Sequence, residues 1–439
     1  MKIVVIGTGY VGLVSGTCFS EFGFQVTCVD KDQHKIDQLL EGIIPIYEPG
    51  LDDLVRRNVA AGRLDFTTDL RQPVAEADVI FIAVGTPTRR GDGHADLSYV
   101  FAAAEEVAEN LSGYSVIVTK STVPVGTGRQ LEAIIAKANP QADFDVASNP
   151  EFLREGSAIG DFMRPDRVVV GAESDRAIEL MRQLYRPLYL IETPILIAKL
   201  ETAELIKYAS NAFLAVKISY INQIADLCER LGADVHQVAK GMGLDKRIGS
   251  KFLHAGPGYG GSCFPKDTLA LVKTAELHDA EIPLVENVVS YNEQRKISMA
   301  ERVKSAFNGD LKGKKLAILG LAFKPETDDM RESPSLAIIP QLLAEGAIIH
   351  AYDPAAMDEA KPLLPAAVHY ENAATDAIQD ADGTVVITEW NEFRALTPAL
   401  FKDKMTGNVI VDLRNLFDAE RMTDEGLSYS SIGRPLMMR

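Results

Sequence analysis

Four stretches of this 439-residue chain gather side chains whose types and spacing suit chemistry. The segment HAGPGYGGSCFPKD, residues 254–267, sets Cys263 among Gly256, Gly258, Gly260 and Gly261, with Lys266 and Asp267 within a helical turn beyond it. The run PKDTLALVKTAEL, with Pro265 in its first turn, places the thiol at the start of a predicted helix. There the free N–H groups and a neighbouring ammonium favour the thiolate, the nucleophilic form. Asp267 follows four residues later, on the same helical face. The glycines leave the backbone open to a bulky ligand and offer little packing to a core cysteine. Cys18, Cys28 and Cys228 lie in plain helical or strand patterns and read as small apolar core residues.

Two further pairs could work with such a thiol. Lys207 and Asn211 are four apart in a helical run and project to one face, where a lysine either snorkels or takes part in chemistry. Glu151 and Glu155, in SNPEFLREGSA, are also four apart, just past a predicted strand, and are either solvated loop charges or working carboxylates. The fourth stretch, GTGYVG, holds Gly7, Gly9 and Gly12 between a predicted strand and a predicted helix. In that pattern the first glycine allows a tight turn, the second lets a pyrophosphate reach the backbone, and the third lets helix and strand pack closely. VTCVD puts Asp30 at the end of the next strand, where a carboxylate accepts from both ribose hydroxyls and repels a 2′-phosphate, so NAD is expected over NADP. Dinucleotide site, nucleophilic cysteine, lysine and carboxylates together suggest an alcohol oxidised through an enzyme-bound aldehyde to an acid.

The elements that must position these groups follow from the apolar pattern. KIVVIG, QVTCVD, VIFIAVG, SVIVTKST, FDVASNPEF and RVVVGA read as strands of a parallel sheet with helical crossovers, closing near residue 195. From about Ala198 to Leu231 the pattern is continuously helical, without proline or glycine, as expected of one long linking helix. KLAILG opens a second α/β half, and KIVVIGTGYVG with GFQVTCVDKD is echoed by KLAILGLAFKP with GAIIHAYDPA. The echo is either an internal repeat or what any doubly wound fold produces. The second half lacks the glycine fingerprint. It carries Lys324, Arg331 and Arg414 at predicted strand ends, which are either a site for a phosphorylated ligand or scattered surface charge. The expected architecture is α/β, two Rossmann-like domains with mostly parallel sheets joined by a long central helix. Its segments are 1–197, 198–308 and 309–439.

Composition sets the outer limits. A hydrophobic share of 46% and a charged share of 24% are those of a globular chain. With 62 acidic against 45 basic residues, the net charge of -17 argues against nucleic acid and anionic membrane as partners. The cysteines show no CxxC spacing and no metal site is expected; the N-terminus reads as a strand entering a turn, and a reduced, cytoplasmic protein is the expectation.

The chain resembles the UDP-glucose/GDP-mannose dehydrogenase family over essentially its whole length. The resemblance is carried, in order, by GTGYVG, KSTVPVGT, SNPEFLREG, ELIKYASNAFLA, KRIGSKFLHAGPGYGGSCFPKD and GLAFKPETDDMRESPS. It implies a four-electron oxidation of UDP-glucose to UDP-glucuronate with NAD, with GDP-mannose or another nucleotide sugar as the alternative substrate. A silent NAD-binding regulator would need no Cys263, Lys207 and Asp267 together. By the same matching Cys263 is the nucleophile, Lys207 and Asn211 bind the oxygen at C6, and Asp267, Glu151 and Thr122 order or activate water. Gly7, Gly9, Tyr10, Val11, Gly12, Asp30, Lys35, Thr86, Thr122, Glu155, Lys266 and Arg331 fall on NAD positions. Glu151, Phe152, Leu153, Arg154, Glu155, Lys207, Asn211, Phe252, Leu253, His254, Ala255, Gly256, Gly260, Lys324 and Arg414 fall on substrate positions. Arg247 matches an arginine that reaches the sugar nucleotide of a neighbouring subunit, which implies a homodimer built on the long helix.

Overall fold

In the computed structural model, which describes residues 1–87, 89 and 95–435, the β-branched runs form two separate sheets. The first has β1 (Lys2–Ile6), β2 (Gln25–Val29), β3 (Leu64–Thr67), β4 (Val79–Ile82), β5 (Ser115–Thr119), β6 (Phe144–Ser148), β7 (Val168–Gly171) and β8 (Ile195–Ala198), in the order β3-β2-β1-β4-β5-β6-β7-β8. All neighbours are parallel except β6 and β7, which meet antiparallel at a single pair, Ser148 and Gly171. The second has β9 (Lys315–Leu319), β10 (Ile348–Tyr352), β11 (His369–Tyr370), β12 (Gly383–Val386), β13 (Val409–Asp412) and β14 (Ser428–Ser431), all parallel, in the order β11-β10-β9-β12-β13-β14. Both orders reverse beside the first strand, the switch point at which open α/β sheets leave a crevice.

Strand alternation divides each core into two faces. Ile3 and Val5 of β1 pack with Leu13, Phe19 and Phe81, while Val4 and Ile6 pack with Ile80, Ile82 and Val100 on the other side. Leu316 and Ile318 of β9 are separated in the same way from Ala317 and Leu319. The central strands are apolar throughout because helices cover both faces. β3 and β8 were not among the strands expected from sequence. LDFT is short and alternates polar with apolar, and ILIA at the sheet edge keeps its side chains partly exposed.

By compactness the chain divides into two units, Met1–Ser210 with Lys273–Ala280, and Asn211–Val272 with Glu281–Arg439. The expected long helix is present as Leu200–Leu231 and runs from the first unit into the second. Among the described residues no helix is long and apolar enough to cross a membrane. Cys18, Cys28 and Cys228 are buried, and burial pushes the Cys28 thiol up to about 12.

Candidate active site

At the end of β1 each glycine of the first turn has its own task. Gly7 takes a left-handed φ of 101°, and a Cβ on it would meet the Ala83 carbonyl oxygen at 2.7 Å. A Cβ on Gly12 would run into the Gly7 carbonyl, so helix and strand close up only without one. Gly9, next to the helix Tyr10–Glu21 that carries Val11 in its first turn, faces open space. Free N–H groups with room before them form an anion site. Just past β2, the Asp30 carboxylate accepts from the Thr8 N–H at 2.8 Å and hydroxyl at 2.7 Å, and from the Asp32 N–H at 3.1 Å. Burial pushes Asp30 up, but these donors and the charge of Lys35 outweigh it and hold the carboxyl below its ordinary range. Beyond β4 and β5, the Thr86 hydroxyl donates to the Thr122 carbonyl at 3.0 Å, which joins two predicted positions directly.

The segment after β6 buries Glu151 and leaves Glu155 partly buried. Glu151 and Lys207 form an ion pair of 3.0 Å with side chains 5% and 3% exposed, so this lysine does not snorkel. The Leu153 N–H donates to the other Glu151 oxygen at 2.5 Å. The Phe152 ring lies 3.7 Å from the Arg167 guanidinium and 5.3 Å from the Lys207 ammonium. Arg154 points outward to Asp161, at 2.6 and 2.9 Å. Glu155 adjoins Gly156, whose N–H donates to Glu48 at 2.7 Å and to the Tyr10 hydroxyl at 3.1 Å, so the glycine turn and the acidic segment share a support.

The second unit holds the cysteine. Cys263 immediately precedes the helix Phe264–Leu277, and its carbonyl accepts the first helical bond from the Asp267 N–H at 2.8 Å. The thiol is partly exposed, 3.5 Å from the Ser262 hydroxyl. Asp267 is fully buried; one carboxylate oxygen accepts from the Asn211 amide at 2.6 Å and the other lies 3.1 Å from the Lys266 ammonium.

The glycines around Cys263 also serve packing, beyond the room that the sequence suggested. Gly261, with φ at 83°, donates its N–H to the Arg331 carbonyl at 2.8 Å and lies against the Phe323 ring. A Cβ on Gly260 would strike the Glu332 backbone, and one on Gly256 would come within 3.2 Å of Arg414 Nη1. The cysteine loop is thereby seated on the loop after β9. Arg414 is not scattered charge, since its guanidinium donates to the Ile387 and Phe323 carbonyls at 2.8 and 2.9 Å. Lys324 lies 5.3 Å from the Phe323 ring, and Arg331 pairs with Asp329 at 2.8 Å. Phe252 packs near Phe264, Leu253 and Ala255 are buried, and His254 is exposed. Arg247 stands apart, its side chain 89% exposed and paired with Asp245 at 2.6 Å.

Residues 1–189 match the NAD binding domain of the UDP-glucose/GDP-mannose dehydrogenase family, residues 201–294 its central domain and residues 317–419 its UDP binding domain. A UDP-glucose 6-dehydrogenase of Rhizobium meliloti (strain 1021) is 59% identical over 441 residues, covering 99% of this chain and 100% of that protein. The chain belongs to the UDP-glucose/GDP-mannose dehydrogenase family. It is an NAD-dependent oxidoreductase. The UDP-glucose 6-dehydrogenase TuaD of Bacillus subtilis (strain 168) is 50% identical, over 99% of this chain and 93% of that one. Among solved structures, a UDP-glucose dehydrogenase from the hyperthermophilic archaeon Pyrobaculum islandicum superposes with a TM-score of 0.89 at 39% identity, covering 98% of this chain and 96% of that one.

Sequence reasoning passes over several buried polar side chains that hold the family's motifs in place. Glu204 accepts from the Gly126 and Gly128 N–H groups at 2.6 and 2.8 Å, tying the KSTVPVGT segment to the long helix. Burial pushes this carboxyl up to about 7 against those two donors. In the second unit Asn222 and Arg295 hold the N–H and carbonyl of Gly256, at 2.8 and 3.0 Å. Asn292 likewise holds the N–H and carbonyl of Tyr259, at 2.8 and 3.0 Å. One signal was available: Asn292 and Arg295 lie on the buried face of the helix Pro283–Ala306 with Val288, Met299 and Val303, as polar residues in an apolar register.

Proposed function

We propose that the chain oxidises UDP-glucose to UDP-glucuronate by four electrons, through a thiohemiacetal and then a thioester on Cys263. The observation that carries this reading is the helix start at Cys263, a partly exposed thiol one turn from a buried carboxylate that Asn211 and Lys266 fix. Helix N-terminus and ammonium both favour the thiolate. The names of the relatives at 59% and 50% identity favour UDP-glucose over GDP-mannose.

The first turn fits a dinucleotide, because Gly9 faces open space where Gly7 and Gly12 are closely packed. Gly7, Gly9, Tyr10, Val11 and Gly12 would hold the pyrophosphate and Asp30 the ribose, with Lys35, Thr86, Thr122, Glu155, Lys266 and Arg331 completing the site. NAD, when bound, supplies the hydride acceptor for each of the two oxidations. Lys207 and Asn211 neutralise the oxyanion at C6 by donating to it. The Cys263 thiolate adds to the aldehyde carbon and holds it for the second oxidation. Glu151, Asp267 and Thr122 order or activate the water that attacks the thioester, a carboxylate taking its proton, and the Cys263 thiolate leaves.

Glu151–Glu155, Phe252–Gly256, Gly260, Lys324 and Arg414 hold the UDP-sugar. The family's UDP binding domain over residues 317–419 supports this. A homodimer is supported by the exposed apolar residues Phe213, Tyr220 and Leu227, seven apart on the long helix, and the exposed Arg247 would be the residue that reaches the partner's sugar nucleotide. A reducing cytoplasm suits a working thiol.

Counting NADH against a panel of nucleotide sugars tests the reading. About two NADH should form per UDP-glucose, with no free aldehyde, because the cysteine-bound aldehyde is committed to the second oxidation. One NADH per sugar with released aldehyde removes the thioester, equal turnover of GDP-mannose removes the substrate assignment, and no NADH with any sugar leaves a binding protein. In Cys263→Ser turnover should collapse while both ligands still bind, and an ester adduct should persist in the intact-protein mass. Near-normal turnover in that variant returns Cys263 to a packing role.

A further inference from the structure

Lys120, at the end of β5, has no part in the mechanism above, yet it is among the most buried charges of the first unit, 4% exposed. Its ammonium donates to the Asn149 side-chain oxygen at 3.0 Å and to the Tyr185 hydroxyl at 3.3 Å, and that hydroxyl donates to the same Asn149 oxygen at 2.5 Å. The Asn149 amide is anchored in turn by the Val169 carbonyl at 2.8 Å. The Phe162 and Tyr185 rings flank the ammonium at 5.7 and 6.0 Å. Burying a lysine is expensive, and a chain that fixes one by three neighbouring groups retains the charge for a purpose. Lys120, Asn149, Glu151, Phe152, Arg167 and Tyr185 line one cavity of about 40 Å³. That is room for water beside polar partners.

We propose that Lys120 is a positioning residue for the Glu151–Lys207 pair, a fixed positive charge that shares a water-sized cavity with Glu151 and backs Lys207 as negative charge develops on the substrate oxygen. The inference rests on the roles given to Glu151 and Lys207 above. Glu151 faces Lys120 from the segment after β6, Lys207 from the long helix, Tyr185 from the end of the helix Asp175–Leu184, and Cys18 from the helix after β1. Burial holds the Cys18 thiol far above its ordinary value and Tyr185 likewise, so both are neutral. Asp161 and Arg167 complete the cavity's charged lining. Two ammoniums then face one carboxylate, a surplus that favours an oxyanion. Burial first, and the charge of Lys207 with it, brings Lys120 down to about 8 while Glu151 opposes them. The residue is therefore charged at neutral pH and loses its charge a little above it.

The test is the pH profile of kcat/KM for UDP-glucose in the whole enzyme, with thermal unfolding as a control. In Lys120→Met one of the two cations facing Glu151 is gone and with it the titrating ammonium, so the alkaline limb that Lys120 sets near pH 8 should disappear. At neutral pH kcat should fall about tenfold with KM changed less than about twofold, because the missing charge acts on the transition state. Lys120→Arg keeps the charge and should keep kcat at neutral pH, with its alkaline limb moved to higher pH. Tyr185→Phe takes one acceptor from the ammonium, and its alkaline limb should move to lower pH; this variant carries the test if Lys120→Met does not fold. A folded Lys120→Met with the parent's kcat and alkaline limb overturns the proposal, as does an unmoved Tyr185→Phe profile. Failure of the underlying reading looks different, since Lys207→Ala would then retain turnover.

Discussion

At the end of β1 the chain turns at Gly7, starts a helix at once and leaves Gly9 facing open space. At the end of β9 it turns at Gly320, also left-handed with φ at 91°, and runs through residues 321–333 before the next helix begins at Pro334. An aspartate follows the second strand in both halves. Asp30 is partly exposed and takes three donors, two of them from Thr8. Asp353 is 1% exposed and takes five, the Leu321, Ala322, Ala355 and Ala356 N–H groups and the Trp390 indole, at 2.7 to 3.1 Å. The Thr388 side chain packs directly on Gly320. The same frame is left open at one turn and sealed at the other. A strand-end aspartate therefore indicates a ligand only while its carboxylate retains free lone pairs and a path to solvent.

The sharpest way to break this comparison is to remove the two aspartates in turn. Asp353→Ala strands several buried donors, and each one left unsatisfied destabilises by about 1–3 kcal/mol. Urea unfolding should show that loss before any effect on ligand affinity is considered. A variant as stable as the parent would mean that Asp353 does not seal its turn.

Asp30→Ala should act in the opposite sense. Thr8 is buried, but Asp30 itself is partly exposed, so water can enter where the carboxylate leaves and take up these donors; stability should change less than at Asp353, while NAD affinity should fall about tenfold with the loss of a charged hydrogen-bond acceptor. The preference over NADP should narrow as well, since the charge that repels a 2′-phosphate is gone. Calorimetric titration with NAD, NADP and UDP-glucose reads all three effects. Equal losses for NAD and UDP-glucose would make Asp30 a fold residue like Asp353.

The difference between the turns was only partly legible in the sequence. The first fingerprint was readable because its glycines, strand and helix are neighbours in the chain. Cys263 and Asp267 were readable for the same reason, as a helix start with its own spacing. The sealing of Asp353 was hidden, because Trp390 lies 37 residues away and Thr388, which packs on Gly320, comes from the segment after β12. Glu48, which reaches Gly156 across 108 residues, and Glu204, which reaches Gly126 across 78, leave no local pattern either. Glycines 260 and 261 read as open space, whereas contact with Phe323 and Glu332, brought from another element, makes them packing residues. The edge strands β3 and β8 are four residues each, LDFT with only two apolar positions and ILIA too short to stand out before the long helix that follows it.

The smallest expected effect concerns how Asp30 responds to acid. Burial raises its pKa, but the Thr8 and Asp32 donors and Lys35 lower it further, so the folded state prefers the carboxylate. A carboxyl depressed in the folded state contributes stability that is fully present above the unfolded value of about 3.9 and disappears as pH falls through the folded value. Asp30→Asn keeps the shape and removes the charge. The stability gap between parent and variant should therefore be small and constant from pH 8 to about 5, and should close at more acid pH. NAD affinity of the parent should be flat over the same range, since Asp30 does not titrate in it. Urea midpoints across the acid range, with NAD titrations at the upper end, check both statements. A gap that widens toward acid would show that the Thr8 donors favour the protonated acid, and the open turn would then need another source for its negative charge.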